Sequence, residues 1–112
     1  MILFELQAAP SQQDCSRNLV IEDTSTPDEM EEVYLCLWRR EGILNKHGMI
    51  DSDIFKNVMK NLLLKYSKNS QTRSEVSDYI VEKCSKLDTK KEYFGTNLNN
   101  CIDASIATKL SV

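Results

Sequence analysis

The chain has 112 residues, of which 41% are hydrophobic and 28% are charged, and its formal net charge at pH 7 is -3. This length predicts one domain over residues 1–112, and the apolar content excludes an intrinsically disordered chain. The 14 basic residues form no stripe for nucleic acid, and no apolar run reaches the roughly 18 residues of a membrane span, so neither nucleic-acid binding nor membrane insertion is expected.

The first 25 residues carry the weakest structural signals. We expect residues 1–10 to be either disordered or added for expression, and a short helix to run from Pro10 to Leu19. The opening apolar run, Met1–Phe4, is too short for the hydrophobic part of a signal peptide. If the protein is secreted, the sequence is therefore expected to be its mature form.

The first strong helix signal begins at Thr26. Thr26 is a suitable N-cap, Pro27 suits the first helical position, and Glu29 completes a capping box. Gly42 is expected to end this helix. Tyr34 and Trp38 lie beside its apolar face, which consists of Met30, Val33, Cys36, Leu37 and Leu44.

Three further helices are predicted, and Asp51 is expected to cap the clearest of them. Few glycines and prolines are present, so long strands joined by tight turns are not expected. The predicted boundaries are a turn at 45–48, a helix with an apolar stripe from Ile54 to Tyr66, a loop at 67–71, a helix at about 72–87, a polar segment at 88–97 that includes Gly95, and a last helix from Leu98 to Leu110. The predicted fold class is all-α.

Four cysteines, Cys15, Cys36, Cys84 and Cys101, lie within or beside the predicted helices. Their separations are too long for a zinc site, so no metal is expected. Four cysteines allow three pairings, and proximity along the chain together with helical position favours Cys15–Cys36 and Cys84–Cys101. Two disulfides would indicate secretion. The alternative is a cytosolic helical adaptor with four reduced, buried cysteines.

Catalytic chemistry has little support in the sequence. The only histidine, His47, falls in a predicted turn and is interpreted as a solvated side chain. The acidic pair Glu31-Glu32 and the segment Asp51–Asp53 are interpreted as charges near the starts of their own helices. We therefore expect neither enzymatic activity nor a cofactor.

The run from Glu32 to Asp51, EVYLCLWRREGILNKHGMID, resembles the third helix and following loop of the insect odorant-binding proteins. The resemblance continues through Ile-Val-Glu-Lys-Cys at 80–84 and covers about residues 15–110 as an ordered pattern. The family's spacing places Glu32 and Glu92 at two cysteine positions that pair with each other. The chain is therefore similar to the four-cysteine, or minus-C, subgroup, whose pairing implies the same two disulfides. Glu32 and Glu92 are expected to face water or to attract Lys90 or Lys91.

The resemblance implies about six short helices around an internal apolar cavity. It also implies a secreted carrier of small hydrophobic molecules, such as odorants, pheromones or fatty-acid-like compounds. Tyr66 or Tyr79 is expected to donate a hydrogen bond to an alcohol, ester or acid. Matching positions suggest that the cavity is lined by Trp38, Ile43, Ile50, Val58, Met59, Leu62, Tyr66, Tyr79, Ile80, Ile102 and Ile106.

The implied setting is sensillar lymph, haemolymph or a gland secretion. The implied partners are a small hydrophobic ligand and an olfactory receptor, and the protein is expected to be a monomer or weak homodimer. One alternative is a scavenger or protein-binding factor of the same fold, of salivary, venom or seminal type. The same aromatic and methionine residues, among them Trp38 and Met59, are also what ordinary core packing requires.

Overall fold

A computed structural model describes residues 26–110, and this range contains four α-helices and no extended strand. The helices are α1 (Pro27–Glu41), α2 (Ser52–Leu62), α3 (Ser70–Cys84) and α4 (Phe94–Leu110), and a 3-10 helix (Leu63–Lys65) continues α2. The all-α prediction is confirmed for this range. The predicted helix at residues 10–19 lies outside the described residues, and six helices are not observed within them.

The start of α1 follows from its sequence. The Thr26 hydroxyl accepts a hydrogen bond from the Glu29 amide at 3.2 Å, and the Glu29 carboxylate accepts one from the Thr26 amide at 2.9 Å. Hydrogen bonding of the Glu29 carboxyl to the Thr26 backbone, and then to the Thr26 side chain, lowers the pKa of Glu29. The predicted capping box is confirmed.

The two predicted boundaries around the 42–51 loop are also confirmed. Gly42 ends α1 in the left-handed conformation, with φ of 82°, which glycine adopts without steric cost. The Asp51 carboxylate accepts a hydrogen bond from the Ile54 amide at 3.1 Å and so caps α2. Between them, the Gly48 amide closes the predicted turn by bonding the Asn45 carbonyl at 2.9 Å.

Two later boundaries differ from the prediction. Helix α3 begins at Ser70, because the Asn69 side chain accepts a hydrogen bond from the Thr72 amide at 2.9 Å, and it ends at Cys84. The expected loop at 67–71 is therefore shorter and the helix does not reach residue 87. Helix α4 begins at Phe94 and includes Gly95, which the sequence placed in a polar segment before Leu98.

The early start of α4 has a tertiary cause in Glu31 of α1. Its half-buried carboxylate accepts hydrogen bonds from the Gly95 amide at 2.7 Å, the Thr96 amide at 2.8 Å and the Thr96 hydroxyl at 2.8 Å. The first amides of a helix have no partner within it, and a carboxylate is well suited to supply one. The interpretation of Glu31 as a charge serving its own helix is wrong, because it caps a helix over sixty residues away.

The described helices pack in the order α2, α3, α4, α1. No comparable packing of α2 against α1 or α4 closes this arc within residues 26–110. The buried face of α2 carries Phe55 and Met59 and continues to Leu63. Ile54 was predicted in this stripe, but it is 39% exposed because neighbouring helical positions are rotated by about 100°.

A disulfide joins Cys84, at the end of α3, to Cys101 in α4, with Cα atoms 5.8 Å apart. This predicted pair is confirmed. The other predicted pair, Cys15–Cys36, includes Cys15, which lies outside the described residues, so it stays a prediction. Glu32 and Glu92 are both exposed, as expected for carboxylates that face water.

Candidate ligand-binding site

Most of the predicted lining residues meet in one apolar cluster. Trp38 comes from α1, Ile43 from the loop after it, and Met59 from α2. The completely buried members are Trp38, Ile43, Met59, Ile80, Ile102 and Ile106. Since their exposed fraction is 0%, they leave no space beside them for a water molecule. The centre of the described region is thus packed as a core.

A second group of predicted lining residues is only half-buried and packs against the outside of this cluster. Val58 and Leu62 of α2 and Tyr66 after the 3-10 helix are spaced four residues apart, so they form a continuous stripe. Ile50 packs against the cluster from the 42–51 loop. We call Val58, Leu62 and Tyr66 the α2 stripe. It is the part of the predicted site that solvent, and hence a ligand, can reach.

Tyr79 is placed apart from the other candidates. It is half-buried on α3, and the ammonium groups of Lys109 and Lys83 lie 4.5 and 5.7 Å from its ring centroid. Contacts of this kind stabilise a cation over an aromatic face. The described contacts of Tyr79 are therefore with two lysines, and the structure does not bring it together with the apolar cluster.

Polar groups lie at one edge of the cluster, and the sequence singled out neither Asn99 nor Asp103 among them. The Asn99 amide donates a hydrogen bond to the Tyr34 hydroxyl at 3.2 Å, and both residues are only 1% exposed. Burial and then the charge of Asp103 raise the pKa of Tyr34, and the same two causes raise the pKa of Tyr66. Asp103 therefore acts on both hydroxyls. We call Tyr34, Asn99, Asp103 and Tyr66 the tyrosine edge.

The sequence contained a weak signal for part of the tyrosine edge. Asn99 and Asp103 are four residues apart on α4 and alternate with Ile102 and Ile106, which places polar groups beside an apolar face. Tyr34 was predicted to lie beside the apolar face of α1. That α1 and α4 would bring these groups together was not predictable from local pattern.

Trp38 is fixed at the junction of α1 and α4. Its indole Nε1 donates a hydrogen bond to the Gly95 carbonyl at 2.9 Å. Its ring also stacks on Tyr34, with centroids 6.2 Å apart and planes inclined by 10°. Trp38 therefore joins the apolar cluster to the tyrosine edge, and its fluorescence is suited to reporting changes at either place.

Two pockets open to solvent lie around the 42–51 loop. One has a volume of about 430 Å³ and is lined by Arg39, Leu44, Asn45, Lys46 and Gly48. The other, of about 190 Å³, is lined by Met49, Ile50, Ser52, Ser85 and Thr89. Among the predicted lining residues, only Ile50 contributes to either of these two pockets.

Residues 26–110 contain no group of three or more histidine, cysteine or acidic side chains placed to hold a metal ion. No helix among them is long and apolar enough to cross a membrane. His47 is exposed in its turn.

Comparison with known proteins gives no further guidance, because no protein-family profile, curated protein sequence or solved structure matches this chain.

Proposed function

We propose that the protein is a secreted, non-catalytic carrier that binds small, mainly apolar molecules at the α2 stripe and solubilises or delivers them. The observation that carries the proposal is the half-buried α2 stripe, which packs against the apolar cluster. The charge of Asp103 acts on Tyr66 of this stripe as it does on Tyr34. The Cys84–Cys101 disulfide supports secretion.

The energy for such binding comes from burial of the guest. Each CH2 group removed from water contributes about 0.8 kcal/mol, so a ligand of about ten carbons gains roughly 8 kcal/mol before association costs are subtracted. Micromolar affinity is within that range when the guest is well covered. We expect the Tyr66 hydroxyl to donate a hydrogen bond to a polar group on the guest.

The guest enters by displacing α2, because the six central lining residues are completely buried within one apolar cluster and leave no space beside them. Helix α2 is suited to this movement. The Cys84–Cys101 disulfide ties α3 to α4, whereas no disulfide holds α2 within residues 26–110. Helix α2 is held there by contact with α3, including the Lys56–Asp78 ion pair, and by its two connections. A movable wall favours broad tolerance of ligand shape.

Displacement of a fluorescent apolar probe tests the proposal. We expect wild-type protein to take up the probe and Leu62→Gln to weaken binding about tenfold, because a polar side chain in the α2 stripe loses roughly one side chain's worth of apolar contact. Leu64→Gln is the matched control, since Leu64 is 56% exposed on the adjacent 3-10 helix and should leave affinity unchanged. Circular dichroism checks that both variants are folded.

Two outcomes would count against the carrier. If the folded wild-type protein takes up no probe, the protein-binding or scavenging alternative is favoured instead. If Leu62→Gln and Leu64→Gln weaken binding equally, the probe binds somewhere other than the α2 stripe.

A further inference from the structure

The last turn of α1 contains a buried arginine whose hydrogen-bonding capacity is only partly used. The side chain of Arg40 is 8% exposed, and its Nη2 lies 2.9 Å from Glu41 Oε1. Its Nε and Nη1 atoms are fully buried, and no described residue supplies a hydrogen-bond acceptor to either. The neighbouring Arg39, in contrast, is exposed and lines an open pocket.

The guanidinium of Arg40 therefore lacks acceptors for part of its hydrogen-bond donors. It stays charged at all relevant pH values and carries five N–H donors, which favour carboxylate oxygens as acceptors. Leaving charged donors buried without acceptors is costly. A single bond to the adjacent Glu41 satisfies one nitrogen and leaves two for another acceptor.

The position of Arg40 relates it to the apolar interior. It follows Leu37 by three residues and Val33 by seven, so it shares the face of α1 on which both are 2% exposed. It also lies six residues beyond Tyr34, which is about 9 Å along the helix axis. An apolar chain of moderate length can span that distance.

The two ends of this stretch of α1 differ in electrostatic character. The charge of Asp103 acts at the tyrosine edge, where it would repel an anionic head group. At the other end, the buried Arg40 guanidinium is paired with Glu41 through Nη2, and its Nε and Nη1 remain as donors for a second carboxylate. An acid would therefore be oriented with its carboxylate at Arg40 and away from Tyr34.

We propose that Arg40 is a binding residue for the carboxylate of an amphipathic, medium-chain carboxylic acid. This inference rests on the proposed carrier function and narrows its ligand class. The acid supplies the acceptor oxygens for Nε and Nη1, while its hydrocarbon chain makes the apolar contacts that any guest would make.

The test compares decanoic acid, its methyl ester and decan-1-ol as competitors of the apolar probe, at about pH 8 so that the acid is ionised. In the wild-type protein we expect the acid to bind about tenfold more tightly than the ester, the effect of a charge-assisted hydrogen bond. Arg40→Met should lower the affinity for the acid about tenfold and leave the ester within about twofold. Arg39→Met, the exposed control, should leave both unchanged.

A second measurement needs no variant. The 15Nε resonance of Arg40 in the wild-type protein should shift on titration with decanoate and stay in place with the methyl ester. Equal affinity for acid and ester in wild type, with no shift at Arg40, would overturn the acid-binding role while leaving the carrier intact. Failure of all three compounds and of the probe to bind would overturn both proposals.

Discussion

Helix α4 is held on two sides by two different kinds of interaction. On the α3 side, the Cys84–Cys101 disulfide joins the helices covalently. On the α1 side, the Glu31 carboxylate bonds the first turn of α4, and the Trp38 indole bonds the Gly95 carbonyl. A further hydrogen bond, from the Tyr93 hydroxyl to the Asp28 carboxylate at 2.7 Å, adds to this second junction at the surface.

The two junctions stabilise the fold by different means. A disulfide acts largely by restricting the unfolded chain, so its contribution depends little on the exact packing around it. Hydrogen bonds to Glu31 act only in the folded state and require the two helices to be correctly placed. The covalent junction therefore sets which helices are neighbours, while the polar junction sets how α4 begins.

The comparison also bears on the sequence resemblance. The family spacing assigned a missing bridge to positions 32 and 92, and both glutamates there are exposed. The residues directly beside them, Glu31 and Tyr93, make the contacts between α1 and the start of α4. In this chain, hydrogen bonds therefore join α1 to the start of α4 at the place where the resemblance puts a missing disulfide.

The largest expected effect tests the covalent junction. Replacing both Cys84 and Cys101 by alanine should lower the free energy of unfolding by about 3 kcal/mol. Without the disulfide, the unfolded chain regains the conformational entropy that closure of this loop, with a sequence separation of 17, had removed. Urea unfolding of the variant and of wild type measures the difference. Unchanged stability would show that the junction is held by packing alone.

The next effect tests the polar junction. Glu31→Gln should lower the free energy of unfolding by about 2 kcal/mol, because the amide lacks the negative charge and one of the two acceptor oxygens that bind the start of α4. Glu32→Gln is the matched control. Glu32 is the exposed neighbour of Glu31, so this substitution should change the free energy of unfolding by no more than about 0.5 kcal/mol. Equal effects in the two variants would mean that Glu31 acts only through its contribution to the net charge, and not through its hydrogen bonds to α4.

The smallest effect concerns the tyrosine edge beside the polar junction. Tyr34→Phe should lower the free energy of unfolding by about 1 kcal/mol at pH 7, because the Asn99 amide loses its hydrogen-bond acceptor. Burial and the charge of Asp103 raise the pKa of Tyr34 above its ordinary value of 10.0. Its protonated form therefore contributes stability that is complete below pH 10 and is lost as the pH rises through the folded-state pKa.

The pH dependence gives this prediction its control. The difference in unfolding free energy between wild type and Tyr34→Phe should shrink between pH 7 and about pH 11. Tyr79→Phe, which removes a hydroxyl outside the apolar cluster, should follow the wild-type profile. A difference that stays constant with pH would contradict a buried, titrating Tyr34.

Features set by neighbouring residues were predictable. The capping box at Thr26, the αL glycine at 42 and the Asp51 cap each depend on bonds spanning a few residues. The start of α4 was not predictable in this way, because Gly95 and Thr96 lie in a polar stretch and their partner is Glu31. For the candidate site, the apolar members were found by their periodicity. Asn99, Asp103 and the buried Arg40 were missed, because their polarity alone indicates exposure.

By itself, the sequence determined the helical class of the described region, the beginnings and ends fixed by local caps, and the pairing of Cys84 with Cys101. The helical class and the caps follow from hydrogen bonds and periodicities within one or two turns of chain. The disulfide pairing follows from proximity along the chain and from helical position. The tertiary structure decided which carboxylate caps α4, which polar groups adjoin the apolar cluster, and that Arg40 is buried. Each of these depends on two distant segments being brought into contact, which no local pattern specifies.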